Sequence, residues 1–221
     1  MGRRRRHTGE PADAHAFTSS FDAVYTRTAR IYDVAVKLLP IWRRWLLQAL
    51  PYLEGPRVLE VSFGTGWLLA RYAGRCDAHG LDRNARMVAI ARANLARVGL
   101  SARLVQGDVA ALPYPDQTFD TVVSTMAFSG YPDAARALAE IRRVLRPDGR
   151  LVIIDVAHPH DGNQVGTALV RFWQWTGDVI RDLPDLLEDA GFRATDEEVG
   201  GWGSVHRYVA DKVTPPAGSA T

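Results

Sequence analysis

The chain has a single cysteine, Cys76, in 221 residues. An internal disulfide and a cysteine-based zinc cluster are therefore excluded, and the thiol inventory fits a reducing compartment. Long apolar runs are missing too: nothing approaches the roughly 18 residues that a membrane-spanning helix requires. The N-terminus lacks the apolar core of a secretory signal, so a cytoplasmic location is expected. Charge of one sign is not in excess, with 27 basic against 25 acidic residues and a net charge of +2. Four of the basic residues form the Arg3–Arg6 run, and the remaining body is slightly acidic. That balance argues against a nucleic-acid-binding surface. The run itself lies in a stretch rich in Arg, Gly, Pro and Ala, which reads as a solvated tail; contact with anionic lipid or nucleic acid is the alternative. No internal repeat is present.

What remains is ordinary for one globular domain: 47% hydrophobic and 24% charged residues, with length enough for a sizeable core. Residues 1–16 read as a disordered basic tail, 17–213 as a single domain and 214–221 as a loose tail. Helical spacing runs from Phe17 to Leu53, with Pro40 breaking or restarting the helix.

The most informative stretch is Arg57–Gly66. Val58, Leu59 and Val61 make a buried strand. Gly64-Thr65-Gly66 then turns the chain into a helix beginning near Trp67, so that glycine backbone and free helix N–H groups lie side by side. A dinucleotide fingerprint needs a third glycine at position 69, which is Leu69. The acid Glu60 at the strand end is an awkward neighbour for a phosphate and suits a cationic or hydroxyl-rich ligand. A second strand, Asp77–Leu81, ends in Asp82, 22 residues after Glu60. That is about the spacing at which a second-strand carboxylate meets two ribose hydroxyls. Asn84 reads as the N-cap of a helix over 85–97 that stops at Gly99. Ala102–Gln106 forms a third strand ahead of Gly107-Asp108-Val109. Strands at 119–124 and 151–156 alternate with an amphipathic helix from Asp133. Two further strands, 192–199 and 204–210, form an antiparallel end pair. This alternation predicts an α/β fold, doubly wound around a mostly parallel, Rossmann-like sheet.

These residues resemble the class I S-adenosylmethionine-dependent methyltransferases. Glu60-Val61-Ser62-Phe63-Gly64-Thr65-Gly66 is similar to that family's acid-x-Gly-x-Gly-x-Gly motif, with Ser62 in place of the first glycine. Asp82 through Met87 is similar to its second motif, and Gly107-Asp108 followed by Leu112-Pro113 to its third. The resemblance is specific over 57–156 and weak outside. It implies a seven-stranded sheet, a helical lid over 17–54, a cofactor-binding core over 57–156 and an acceptor-side insert over 158–190. It also implies S-adenosylmethionine as cofactor, bound by Glu60, Ser62, Gly64, Thr65, Gly66, Asp82, Arg83, Met87, Gly107, Asp108, Val109 and Ser124. Here Met87 packs on the adenine and Val109 offers it a backbone N–H. Tyr25 and Tyr32 stand where a lid tyrosine approaches the ligand; simple packing on the sheet is the alternative.

The segment after the fourth strand lacks the Asn/Asp-Pro-Pro-Tyr of enzymes that methylate base amines, which again disfavours nucleic acid. Tyr25, Tyr32, Trp42, Met126, Phe128, Tyr131, Phe172, Trp173 and Trp175 fall in the segments from which this family builds its acceptor pockets. A small, fairly hydrophobic acceptor is expected, methylated on oxygen, nitrogen or carbon. Tyr32-Asp33 is similar to quinone-biosynthesis and phospholipid methyltransferases. If a general base is used, His158 is the candidate, with His160, Asp161 and His206 nearby in type. His158-Pro159-His160-Asp161 shows no third metal ligand, so no metal is expected. Two alternatives stay open: a cofactor-binding protein that transfers no methyl group, such as a cyclase or isomerase, and a membrane-surface lipid enzyme using Trp42, Arg43, Arg44 and Trp45.

Overall fold

Seven strands lie in one sheet in the order β3-β2-β1-β4-β5-β7-β6. The computed structural model describes residues 40–213. The strands are β1 (Arg57–Val61), β2 (Asp77–Asp82), β3 (Arg103–Gln106), β4 (Phe119–Thr125), β5 (Leu145–Val156), β6 (Phe192–Gly200) and β7 (Val205–Lys212). β1 through β5 pair in parallel, and β7 runs antiparallel to both β5 and β6. The helices are α1 (Pro40–Leu47), α2 (Leu69–Tyr72), α3 (Ala85–Arg97), α4 (Ala134–Val144), α5 (Gln164–Thr176) and α6 (Leu183–Asp189).

The central strands are apolar on both faces because both faces are covered. Along β1 and β5, alternate residues feed opposite cores. Leu59, Val61, Leu151 and Ile153 pack with α4 and α6, whereas Val58, Val152, Ile154 and Val156 pack with α1, α2, α3 and α5. On α4 the buried residues are Ala134, Ala137, Leu138, Ile141 and Val144, the three-four spacing of one helical face. Asp133 caps that helix by accepting the Arg136 N–H at 2.8 Å.

Two boundaries differ from the sequence reading. The helix expected from Trp67 begins at Leu69, because the chain first closes a turn in which the Gly66 N–H donates to the Phe63 carbonyl at 3.0 Å. The strand expected from 151 begins at Leu145, and residues 146–150 are absorbed into β5. Leu145 pairs with Phe119 and Arg150 with Thr121, so the intervening residues form an irregularity inside the strand.

The entry to β1 is tied to β4 by two side chains, Asp120, whose Oδ2 accepts the Arg57 N–H at 2.8 Å, and Thr121. Thr121 is fully buried; its Oγ1 donates to the Glu54 carbonyl at 2.7 Å and accepts the Glu54 N–H at 3.1 Å. Thr121→Val keeps the shape and strands both backbone groups. It should lower unfolding free energy by about 1 kcal/mol in a denaturant titration, the net contribution of a typical hydrogen bond where water can reach the freed groups.

Candidate active site

The chain winds from β1 outward to β3, then returns to place β4 on the other side of β1. That reversal opens a crevice beyond the carboxyl ends of the strands, the place where ligands bind in open α/β sheets. A cavity of about 160 Å³ lies there.

Asp82 organises one wall. Its Oδ2 accepts the Gly64 N–H at 2.8 Å and its Oδ1 accepts the Asn84 N–H at 2.9 Å. One carboxylate thus joins the turn after β1 to the start of α3. Asn84 in turn accepts the Arg86 N–H and caps that helix. A carboxylate has about four acceptor positions, so it can serve two loops and a ligand together.

The two glycines of the turn have different tasks. Gly64 lies at φ +56°, and nothing stands within 4 Å of the position its Cβ would take. It leaves room on the cavity side. Gly66 lies at φ +71°, and a Cβ there would come within 2.8 Å of the Ala91 side chain. It lets the turn pack on α3.

Beneath the turn, Glu60 is almost wholly buried and accepts the Tyr72 hydroxyl at 3.1 Å. Burial pushes its pKa from 4.5 up to about 8, against the Tyr72 hydrogen bond and with the help of the Asp82 charge. Burial thus favours the protonated form of Glu60 in the ligand-free protein. Ser62 adopts φ +55°, a backbone conformation that favours glycine. Its hydroxyl lies 3.1 Å from the Tyr131 hydroxyl, which lies 3.1 Å from that of Ser124. Burial raises Tyr131 to about 12, so the phenol stays protonated.

The loop after β4 supplies the opposite wall. Asp155, buried at the end of β5, gathers it: Oδ2 accepts the N–H groups of Ala127 at 3.1 Å, Phe128 at 2.6 Å and Ser129 at 3.1 Å. Burial raises the Asp155 pKa to about 6 even with these donors. Asp178 follows α5 and also lines the cavity. It accepts the Ser129 hydroxyl at 2.8 Å, and burial raises its pKa above the usual carboxyl value. At the rim, Trp42 of α1 meets Trp45 and Trp173 with ring centroids 5.9 and 5.8 Å apart. The Arg71 and Arg43 guanidinium groups stack over Trp67 at 3.1 and 5.6 Å. The tryptophan–arginine cluster is thus engaged within the molecule.

Of the residues expected from the sequence, Glu60, Ser62, Gly64, Thr65, Asp82, Arg83, Met87, Gly107, Asp108 and Val109 line this one cavity. Gly66 and Ser124 stand behind its lining, the first against α3 and the second against Tyr131. His158 is exposed and is not among the lining residues. Tyr25 and Tyr32 lie outside the described residues. Sequence reasoning missed Asp178, since an acid following Gly177 carries no signal of its own until the fold turns it inward. Among the described residues no helix is long and apolar enough to cross a membrane.

Glu60 carries a testable consequence. Its folded-state pKa lies above the ordinary value, so the folded protein holds a proton that the unfolded chain releases between pH 4.5 and about 8. Its contribution to stability therefore falls as pH rises through that window. Glu60→Gln removes this dependence, at about 1.4 kcal/mol per pK unit. Paired urea titrations at pH 5 and pH 8 should show the variant gaining on the wild type by several kcal/mol.

Residues 59–153 match the family model described as a methyltransferase domain. The demethylmenaquinone methyltransferase of Thermus thermophilus is 34% identical over 147 residues, covering 63% of this chain and 67% of that protein. A ubiquinone/menaquinone biosynthesis C-methyltransferase, UbiE, of Idiomarina loihiensis is 29% identical, covering 83% of this chain and 88% of its own length. Among solved structures, an S-adenosylmethionine-dependent methyltransferase of Thermotoga maritima described as a possible histamine N-methyltransferase superposes with a TM-score of 0.70 at 19% identity, covering 86% of this chain and 99% of that one. The [4+2]-cyclase SpnF superposes with a TM-score of 0.61 at 23% identity, covering 77% and 79%. The fold alone therefore accommodates more than one reaction, and it is the family that decides. With its motifs meeting at one crevice, the chain belongs to the class I S-adenosylmethionine-dependent methyltransferases.

Proposed function

We propose that this methyltransferase works in the cytoplasm on a small hydrophobic acceptor of the quinol type, and that Asp178 takes up the proton the acceptor releases. The observation that carries the reading is one cavity with two unlike walls. Carboxyl groups and the glycine turn make the first, and Trp42, Leu46, Trp67, Met126 and Pro132 contribute to the second. The relatives from Thermus thermophilus and Idiomarina loihiensis, named as a demethylmenaquinone methyltransferase and a ubiquinone/menaquinone biosynthesis C-methyltransferase, support quinones as acceptors.

The first wall fits S-adenosylmethionine. Gly64 leaves open space where a side chain would intrude, and Asp82 is rigidly presented by Gly64 and Asn84. When bound, the cofactor supplies an activated methyl group on a sulfonium. Asp82 accepts the ribose hydroxyls. Met87, Asp108 and Val109 hold the adenine, with Gly107 and Arg83 beside it. Glu60, Ser62, Thr65 and Gly66 shape the methionine end, and Ser124 keeps Tyr131 in place below.

Asp178 is the group we assign to proton transfer, because it lines the cavity, and burial raises its pKa above the ordinary carboxyl value and so makes it a stronger base than an exposed carboxylate. It accepts the proton of the acceptor hydroxyl, which makes the neighbouring ring carbon nucleophilic. That carbon would take the methyl group as the methyl–sulfur bond of the bound cofactor breaks, leaving S-adenosylhomocysteine; the carbon would then lose its own hydrogen as a proton to solvent while the ring oxygen regains the proton held by Asp178. The apolar wall excludes water and orients the ring.

Asp82→Ala should weaken S-adenosylmethionine binding by roughly 1.5–3 kcal/mol in calorimetry, the scale of hydrogen bonds to a charged group. Incubation with the cofactor and a reduced demethylmenaquinone should yield S-adenosylhomocysteine and a C-methylated ring by mass spectrometry. Turnover that ignores the quinol would overturn the acceptor assignment. In that assay Asp178→Asn should lower kcat by roughly 10²–10⁴-fold and remove the acidic limb of its pH profile.

A further inference from the structure

The far edge of the sheet brings together four side chains from three segments. Asp196 and Glu198 are two residues apart on β6 and project from one face of it. His206 lies opposite Glu198 on β7, and His160 arrives from the turn after β5. The Asp196 carboxylate spans the two rings, with Oδ2 3.0 Å from His160 Nε2 and Oδ1 2.7 Å from His206 Nδ1. Glu198 Oε1 accepts the His160 backbone N–H at 2.6 Å and stands 3.5 Å from His160 Nδ1. One donor atom each from His160, Glu198 and His206 lie within 4.8 Å of one another.

The orientation of His206 is what makes this more than a pair of ion pairs. Its Nε2 faces the Gly203 carbonyl at 2.9 Å. A carbonyl only accepts, so Nε2 carries hydrogen, and without a cation Nδ1 carries one as well to meet the Asp196 carboxylate. Nδ1 is thereby turned toward Asp196 and the rest of the cluster. Metal-ligating histidines are held in this way, with the second ring nitrogen donating to a carbonyl or carboxylate. His206 is buried and fixed, whereas His160 is exposed and leaves a path from solvent. Two neutral imidazoles and two carboxylates sum to a charge of −2, which matches a divalent cation. The mixed nitrogen and oxygen donors suit zinc and neighbouring late transition ions and do not suit magnesium, which prefers oxygen alone.

We propose that His160, Glu198 and His206 form a binding site for a divalent transition-metal cation of the zinc type, with Asp196 beside them as a further carboxylate. In the metal-free molecule a hydrogen on His206 Nδ1 bridges to Asp196; the cation takes its place and the proton passes to solvent. The site ties the turn leading into α5 to the β6–β7 edge. Asn163 caps α5 just beyond that turn, and Trp173 of the same helix meets Trp42 at the cavity rim. The sequence offered only His158, His160 and Asp161 in a row, without a third ligand; the partners lie about forty residues further on, and only strand pairing brings them in.

The test uses the full chain without an affinity tag, titrated with Zn²⁺ against a chromophoric chelator. One equivalent of Zn²⁺ should bind with a dissociation constant in the micromolar range or below. Zn²⁺ should raise the melting temperature, and Mg²⁺ should not. Co²⁺ in place of Zn²⁺ should give visible ligand-field absorption. His160→Ala removes an exposed ligand, so the metal-free protein should melt as before while Zn²⁺ affinity drops at least about tenfold. Glu198→Gln should weaken binding likewise. Absence of a bound equivalent at micromolar Zn²⁺, or affinity unchanged in His160→Ala, would overturn the site and leave the cluster as an ion-paired histidine.

Discussion

The Asp82 carboxylate is the interaction on which the site depends. It binds the N–H of Gly64 from the turn after β1 and the N–H of Asn84 from the start of α3. The first loop bends through positive φ at Ser62, Gly64 and Gly66, and the second opens a helix whose first N–H groups find no partner within the helix itself. A charged acceptor buried between them stabilises both, since hydrogen bonds to a carboxylate are among the stronger ones. The same geometry faces that carboxylate into the cavity. Positioning and recognition are thus carried by one group.

The other buried acids follow a related logic in a drier setting. Glu60, Asp155 and Asp178 are held away from water, and burial raises the pKa of each. Asp155 spends its acceptors on three successive N–H groups and so fixes the loop that carries Tyr131 and neighbours Asp178 through Ser129. Glu60 stores a proton under the glycine turn, and a cationic ligand arriving above it favours the ionised form. Ser62 is the local exception. A side chain at positive φ costs on the order of 1 kcal/mol, and the Ser62–Tyr131–Ser124 hydroxyl chain is the compensation visible around it.

Most of the fold was legible in the residues. The strands at 57–61, 77–82, 103–106 and 119–125 are short, β-rich and bounded by glycine or capping residues, so local preference and global topology agree. The antiparallel end pair was readable for the same reason. Boundaries drifted where tertiary pairing overrode local signals. Leu145 joins the sheet before a Pro-Asp-Gly stretch that reads as a turn, because its pairing with Phe119 buries it completely. The site was legible wherever a motif carries a chemical requirement, as at Glu60, Gly64 and Asp82. It was illegible at Asp178 and in the Asp196–His206 pair, where nothing distinguishes the residue from any surface acid or strand histidine.

The sequence by itself determined the alternation of strands and helices, the glycine turn and the acids at successive strand ends. These depend on local sterics and on spacing along the chain, which a linear reading contains. Only the tertiary structure decided which acid faces the cavity opposite the glycine turn, which glycine leaves room and which one packs, and which histidines meet. Such relations join residues about 25 to 115 positions apart, and they exist only after the sheet has placed β1 beside β4 and β7 beside β6.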